Sequence, residues 1–580
     1  MDAITSSLLN EFRKSHAVES LPESDAFEHF ANFSVLFSEL ADTFDLDDVH
    51  VGVDSTVGID GLAIVVNGAL VTSEQDADSL VEANKYLDAQ FICIQSKSSP
   101  KFELGEISNF FYAVTDFFSA KPKLLTSLDM KDLARLKAHI YAKHSGRMTK
   151  GNPTLSLYYV TTGKWTDDHI LKTRITSAIA ELEDTQLFEK VIFTPVDARK
   201  LQKLYRDTQS KTKAKFNFTR RVTLPVSLEG IKEAHFGVIP AAQFLQLIQD
   251  DSGAIRKHLF YDNVRDFQDY NEVNKEIRTT IQSADKPLFP LLNNGVTVIA
   301  SIVRPIGDEF HIEDFQIVNG CQTSHVVFYE RAHLTDNVHI PIKLIVTDDD
   351  NIVNKVIKAV NFQTEVKPDQ LYALSEFQKI LEQYYAAMPD EVKLYYERRS
   401  KQFATAAQVE KVRIVTIQQQ IRAYSSMFLS EAHRGHYPRS MGAAVGKSLF
   451  GRDHNPEPYH VSAFAQYRLE YFFRNRSLDK KFKPARYHLL MAARQILLPR
   501  AVPSPSSNDV KKFAAELLMH LRDDTKALQA FKQAARIIEQ AAGRKAIDRK
   551  LTKTVPFTKL VQTALDKSYP VREKPRKLDR

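Results

Sequence analysis

The sequence predicts an α/β protein in three successive parts: a mixed sheet flanked by helices, a larger α+β body, and a helical C-terminal region. Three observations carry that reading. Two apolar, β-branched runs, Leu62 to Val66 and Phe91 to Lys97, lie close together and lead into a helix-like stretch that ends at Phe118. Between Thr154 and Asp197 a strand, a helix and a second strand follow at crossover spacing. The last hundred residues are basic and carry apolar residues at helical period. At 580 residues, 43% of them hydrophobic and 26% charged, the chain has globular composition and is too long for one core, so three or four domains are expected.

Taken in order, residues 2–16 and 24–42 read as amphipathic helices. In the second, Phe27, Phe30, Phe33, Leu36, Phe37 and Leu40 recur at helical spacing and form a core stripe. Asp60 heads the run that closes in Asn67-Gly68, a strand followed by a hairpin-type turn. The run Phe91 to Lys97 alternates strictly, with Phe91, Cys93, Gln95 and Lys97 on one face and Ile92, Ile94 and Ser96 on the other. Asp129 to His144 reads as a helix, Thr154 to Gly163 as a strand, Asp167 to Leu182 as a helix and Lys190 to Asp197 as a strand of the same sheet. These elements close a first domain at residues 1–205.

A basic linker is expected over residues 206–228. From Arg199 to Arg221 nine Lys or Arg stand against Asp207 alone, with Tyr205, Phe216 and Phe218 interleaved. Cations neutralise phosphates and aromatic rings stack on bases, so Lys211, Lys213, Lys215, Arg220 and Arg221 are candidate nucleic-acid contacts. A solvated linker accounts for the same composition.

The chemistry concentrates at the front. If the two runs pair as neighbours, Asp60, Gln95 and Lys97 converge at one end of the sheet. A carboxylate, an amide oxygen and a fixed ammonium suit metal-assisted phosphodiester hydrolysis. In that chemistry oxygen ligands hold Mg²⁺ or Mn²⁺, and Lys97 orients water or offsets developing charge. Read without chemistry, Asp60 is a turn residue, Gln95 a polar residue of the sheet and Lys97 an edge-strand solubiliser. The pattern Gly52-Val53-Asp54, three residues, Gly58-Ile59-Asp60, then a strand ending Gln95-Ser96-Lys97, resembles the PD-(D/E)xK nuclease superfamily. The likeness is to the variant with Gln before x-Lys, as in Mrr-like restriction nucleases. It implies a restriction-endonuclease-like first domain, with Asp60 and Gln95 at the metal and Lys97 catalytic. Because an amide binds Mg²⁺ more weakly than a carboxylate, a further acid is expected; Glu28 is taken as a metal ligand, with Glu103 and Glu106 as alternatives.

Residues 229–500 form the second body. Its blocks include FPLLNNGVTVIA from Phe289, FQIVNGCQTSHVVF from Phe315, HIPIKLIV from His339, VNFQTEVKPDQLYAL from Val360 and YYERRSKQF from Tyr395. In this order they resemble the AIPR family, named for abortive infection phage resistance, whose members commonly carry a nuclease-like N-terminal domain. The resemblance implies a role in phage defence and assigns no reaction to this body.

Bottom-up, Asn294-Gly295 is a tight turn needing positive φ. Asn319-Gly320 precedes a helix from Gln322, whose start can cap itself or receive an anion. Asn263, Arg265, Asn294, Asn319, Gln322, Asn361 and Gln363 are separately caps or turns, and together a candidate ligand pocket. Arg398 and Arg399 either grip phosphate or belong to a surface ion-pair cluster. The segment Gly442 to Ser448 has one residue too few between its glycines for a P-loop, and nucleotide hydrolysis there is rejected. His433, His436, His454 and His460 are expected on an exposed loop.

Residues 501–580 are expected to be helical beyond a Pro/Ser joint, with a mobile basic tail. A formal charge of +6 permits polyanion binding without demanding it. Cys93 and Cys321 alone give neither a disulfide framework nor a thiolate zinc site. No signal peptide or membrane-spanning run is read, so a cytoplasmic protein is expected. The functional expectation is a metal-dependent nuclease of prokaryotic anti-phage defence, DNA favoured, with a possible homodimer and companion defence proteins. A ribonuclease and a non-catalytic nucleic-acid-binding sensor or adaptor are the alternatives.

Overall fold

The computed structural model describes the chain apart from residues 41, 53–57, 126, 150, 167, 226–228, 251–252, 254, 261–271, 362–375, 400, 407, 437–440, 442–443 and 572–580. The first part is a five-stranded sheet in the order β2-β1-β3-β4-β5, built from β1 (Gly61–Val66), β2 (Ala69–Val71), β3 (Ala89–Lys97), β4 (Thr154–Thr161) and β5 (Lys190–Val196). β1 pairs antiparallel with β2 and with β3, while β3, β4 and β5 run parallel. The β1–β2 turn is Asn67-Gly68 with φ of 51° and 82°, the left-handed pair a two-residue hairpin requires.

Among the described residues seven α-helices cover this sheet: α1 (Ala3–Ser15), α2 (Glu23–Glu39), α3 (Glu74–Asn84), α4 (Leu104–Phe118), α5 (Leu128–His144), α6 (His169–Glu183) and α7 (Ala198–Thr208). Asp2, Ser73, Ser127, Asp168 and Asp197 accept backbone N–H bonds at five of their N-termini. The period-two alternation sorts side chains into two cores. Leu62, Ile64, Phe91, Cys93 and Leu157 pack under α4, α5 and α6, whereas Ala63, Val65, Ile92 and Ile94 pack under α1, α2 and α7. β3 is the central strand, so Lys97 is no edge-strand solubiliser.

The second sheet has six strands in the order β6-β10-β9-β11-β8-β7. They are β6 (Lys213–Asn217), β7 (Arg220–Thr223), β8 (Glu233–Pro240), β9 (Val296–Ile306), β10 (Glu309–Asn319) and β11 (His339–Val346). The stretch expected as a free basic linker thus supplies both edge strands. Its period-two pattern buries Phe216 and turns Lys213 and Lys215 outward. From Phe377 to Leu565 the chain is mainly helical around one continuous core. The Pro/Ser joint near residue 501, read as a domain boundary, is a loop between helices that share this core: Leu489 and Leu490 precede it, and Val510 and Phe513 follow it. Among the described residues no helix is long and apolar enough to cross a membrane.

Candidate functional site

Asp60 sits one residue before β1, and its backbone is fixed on both sides. Its N–H donates to the Ile94 carbonyl at 2.9 Å, and its carbonyl accepts from Val51 N–H at 3.0 Å and Asn32 Nδ2 at 3.3 Å. Gly61 belongs beside it because a Cβ there would collide with Asn32. The antiparallel register that pairs Gly61 with Ile94 brings Asp60 opposite Gln95. Asp60 Oδ2 accepts from Gln95 Nε2 at 2.8 Å, from Ser96 N–H at 2.7 Å and from Ser96 Oγ at 3.1 Å.

Burial, followed by the charge of Glu28, raises the Asp60 pKa to about 7; the Ser96 hydrogen bonds and the Lys97 charge pull the other way. Gln95 is 3% exposed, and its Oε1 is buried with no hydrogen-bond partner among the described residues. A buried amide oxygen without a donor is costly, and a cation is one group that would satisfy it. Glu28 Oε2 lies 2.8 Å from His50 Nε2, and the His50 ring lies against His29 with centroids 4.2 Å apart and planes tilted by 32°. Lys97 Nζ is 2.9 Å from Glu106 Oε2 on α4, and both side chains are about 40% exposed. Glu106 is therefore the partner of Lys97, while Glu28 supplies the second negative charge at Asp60. Carboxylates and an amide oxygen form a donor set that fits a hard divalent cation such as Mg²⁺ or Mn²⁺.

Glu28, His29, His50, Asp60, Gln95 and Lys97 line a cleft of about 1220 Å³ whose other wall comes from the helical region and includes Arg422, Arg476, Lys480, Lys483, Arg486, Arg549 and Lys553. Much of that positive charge is engaged across the cleft. Lys483 meets Asp47 at 2.6 Å, Arg549 and Arg422 approach Asp48 at 3.7 and 3.8 Å, and Lys553 reaches Glu74 at 3.4 Å. Arg476 and Lys480 are exposed and have no ion pair among the described residues.

The other sequence candidates fall elsewhere. Lys211 pairs with Asp314 at 3.0 Å, and Lys213 with Glu313 at 3.6 Å. Arg221 pairs with Asp308 at 2.7 Å and lies 4.7 Å over the Phe310 ring. Lys215 is exposed on the outer strand, and Arg220 Nη1 is 3.3 Å from His339 Nε2. Tyr205, Phe216 and Phe218 are at most 1% exposed, so base stacking on them is ruled out by burial. Arg398, 1% exposed and held by Glu382 at 3.0 Å, is a core ion pair and no surface phosphate grip; Arg399 is partly buried beside it.

Of the proposed amide pocket, Asn263, Arg265 and Gln363 lie outside the described residues. Asn294 stands beside Gly295, whose φ is 78°. Asn319 Nδ2 donates to Val360 O at 2.7 Å, next to Asn361 at the end of helix Asp350–Asn361, and Gln322 Oε1 accepts from Asn274 at 2.7 Å. His460 is 1% exposed inside helix Glu457–Arg474, and His436 packs edge-on against Tyr487, so these histidines do not form an exposed loop.

Ser96, His50, Arg476 and Lys480 were not singled out from the sequence. Ser96 carried a signal in retrospect, since it separates Gln95 from Lys97 and its N–H must face the neighbouring strand. The other three join the cleft only through tertiary packing.

A family model described as AIPR protein matches residues 260–563, more than half of the chain. No curated protein and no solved structure matches it.

Proposed function

The chain belongs to the AIPR family, and from that membership together with the cleft at Asp60 we propose a metal-dependent nuclease acting in abortive infection, a defence against phage. The observation that carries the nuclease reading is the buried Oε1 of Gln95, without a hydrogen-bond partner among the described residues, beside the Asp60 carboxylate in the cleft that Lys97 also lines. Asp60, Gln95 and Glu28 are the residues that would hold Mg²⁺ or Mn²⁺. When bound, the ion supplies a Lewis acid that polarises the phosphate and makes water a better nucleophile at neutral pH.

The remaining work falls to the chain's own groups. Asp60 must give up its proton for the site to charge. Lys97 carries an ammonium at the cleft mouth, where Glu106 holds it short of full exposure. Released toward a phosphate, it offsets the negative charge that develops there. Arg476 and Lys480 on the facing wall are positioned to neutralise flanking phosphates. DNA is the favoured substrate, and RNA is tested alongside it.

The test is purified full-length protein incubated with plasmid, single-stranded DNA and RNA in Mg²⁺, Mn²⁺ or chelator. Metal-dependent cleavage is expected, falling about 100-fold or more in a folded Lys97→Ala variant, as for loss of one transition-state donor. Cleavage unchanged in that variant, or insensitive to chelator, overturns the assignment. One observation favours the non-catalytic reading: Asp60 Oδ2 already has three donors and Lys97 already has Glu106. Nucleic-acid binding without cleavage under every metal condition decides for it.

A further inference from the structure

We propose that Asp78, His139 and His144 form a second metal site, of the zinc class, which ties α3 to α5 outside the Asp60 cleft. His139 Nε2 lies 2.7 Å and His144 Nε2 2.6 Å from the same oxygen, Asp78 Oδ1. The three donor atoms all fall within 4.8 Å of one another. None of the three residues lines the Asp60 cleft.

Helical geometry alone does not give this convergence. Residues five apart on an ideal helix point roughly 140° from one another, so His139 and His144 would diverge. His144 instead ends α5 with φ −116° and ψ 7°, leaving the helical path and turning its ring back toward His139. The two rings stand edge to face at 5.6 Å.

The donor set selects the ion. Two imidazole nitrogens and one carboxylate oxygen suit Zn²⁺, Co²⁺ or Ni²⁺, whereas Mg²⁺ prefers oxygen. Lys143 Nζ occupies Asp78 Oδ2 at 2.6 Å, so Asp78 can offer one oxygen only. With three protein ligands, a fourth position stays open. Exposures of 22% for Asp78 and His139 leave room for water there, while His144 at 8% anchors the site. Bonds of about 2.0–2.2 Å in tetrahedral array set the ligand atoms roughly 3.4 Å apart. The histidine nitrogens would therefore draw back from Asp78 by about 0.7 Å, a displacement that small ring rotations supply.

Asp78 faces Lys143, His139 and His144, so Zn²⁺ would take the place of the imidazole protons that face Oδ1, each ring keeping its proton on Nδ1.

The experiment uses the full chain stripped with chelator and dialysed. Zn²⁺ is titrated calorimetrically, and Co²⁺ is followed by its visible absorption. One Zn²⁺ per chain is expected at this site, with the strong visible bands of tetrahedral Co²⁺ and a rise in Tm. His139→Ala and Asp78→Asn, checked for folding by circular dichroism, should weaken binding by more than the roughly 10- to 100-fold that loss of a supporting partner costs. His50→Ala, which alters the Asp60 cleft, should leave it unchanged. No saturable Zn²⁺ uptake, equal uptake by the folded His139→Ala and Asp78→Asn variants, or uptake lost in His50→Ala overturns the proposal. If both ligand variants unfold, the wild-type Co²⁺ spectrum decides: weak bands of octahedral oxygen coordination sink the site.

Discussion

At position 60 a carboxylate is buried beside Gln95 and Ser96 and repelled by Glu28, so its pKa of about 7 lies well above the ordinary 3.8. Between those values the folded chain holds a proton that the unfolded chain has released. The stability this group contributes is therefore fully present below about pH 4 and is lost as pH rises toward 7. On the proposed reading a divalent cation would reverse the sign, because it would bind the deprotonated carboxylate. Asp60→Asn removes both effects. Without metal, the Tm of the wild type should fall relative to that of Asp60→Asn between pH 5 and pH 8. Each kcal/mol of difference moves Tm by roughly 2–4 °C for a domain of this size. Millimolar Mg²⁺ or Mn²⁺ at pH 8 should recover the wild type and leave the variant unmoved. Differential scanning fluorimetry reads both, and parallel pH profiles with equal metal responses would remove Asp60 from the metal site. The pairing of Asp60 with Gln95 was legible because alternation in β3 puts Gln95 and Lys97 on one face. The raised pKa was not, since it depends on burial in the folded cleft and then on Glu28 arriving from α2.

Among elements, the strands were the most readable because period two leaves little freedom. Phe91 and Cys93 went to one core and Ile92 and Ile94 to the other, as their spacing requires. The same rule was present at residues 213–218, where Ala214, Phe216 and Phe218 alternate with Lys213, Lys215 and Asn217. Net charge drew attention away from it, and a pair of edge strands was read as a linker.

Asn-Gly was a sounder guide. Gly295 and Gly320 have φ of 78° and 95°, and they meet at one end of the second sheet. A Cβ at Gly320 would lie 2.7 Å from the Val296 Cγ2 methyl and 2.9 Å from two backbone atoms, Gly295 O and Val296 Cα, which cannot readily yield. Gly320→Ala should therefore cost roughly 2 kcal/mol or more, the left-handed penalty plus the contact. Gly307→Ala, with φ 64° in open space, should cost only about 1 kcal/mol. Urea unfolding of the two variants checks the difference, and equal losses would show that the Gly320 contact relaxes freely.

At the scale of the whole molecule, the cleft exists only because the helical region folds back over the first sheet. Residues between Leu21 and Leu136 and between Arg422 and Lys553 contribute its walls, and no spacing in the sequence relates the two sets. Their contact is held by Lys483 with Asp47, Arg549 and Arg422 with Asp48, and Lys553 with Glu74. Cations committed in this way leave the attraction of a polyanion to Arg476 and Lys480, which have no carboxylate partner among the described residues. If nucleic acid enters here, each phosphate contact they make releases counterions. Loss of both contacts should then reduce the slope of log Kd against log salt by roughly 1.4 for a single strand. Arg476→Ala with Lys480→Ala should weaken binding most at low salt and leave the thermal stability near wild type. Lys213→Ala with Lys215→Ala, on β6, the outer strand of the second sheet, should leave the slope unchanged. Fluorescence anisotropy of a labelled oligonucleotide across a salt series separates the two surfaces. A slope that falls with the β6 pair and stays constant with the cleft pair would move the nucleic-acid path to the strand that composition first suggested, and would leave Asp60, Gln95 and Lys97 without a substrate in reach.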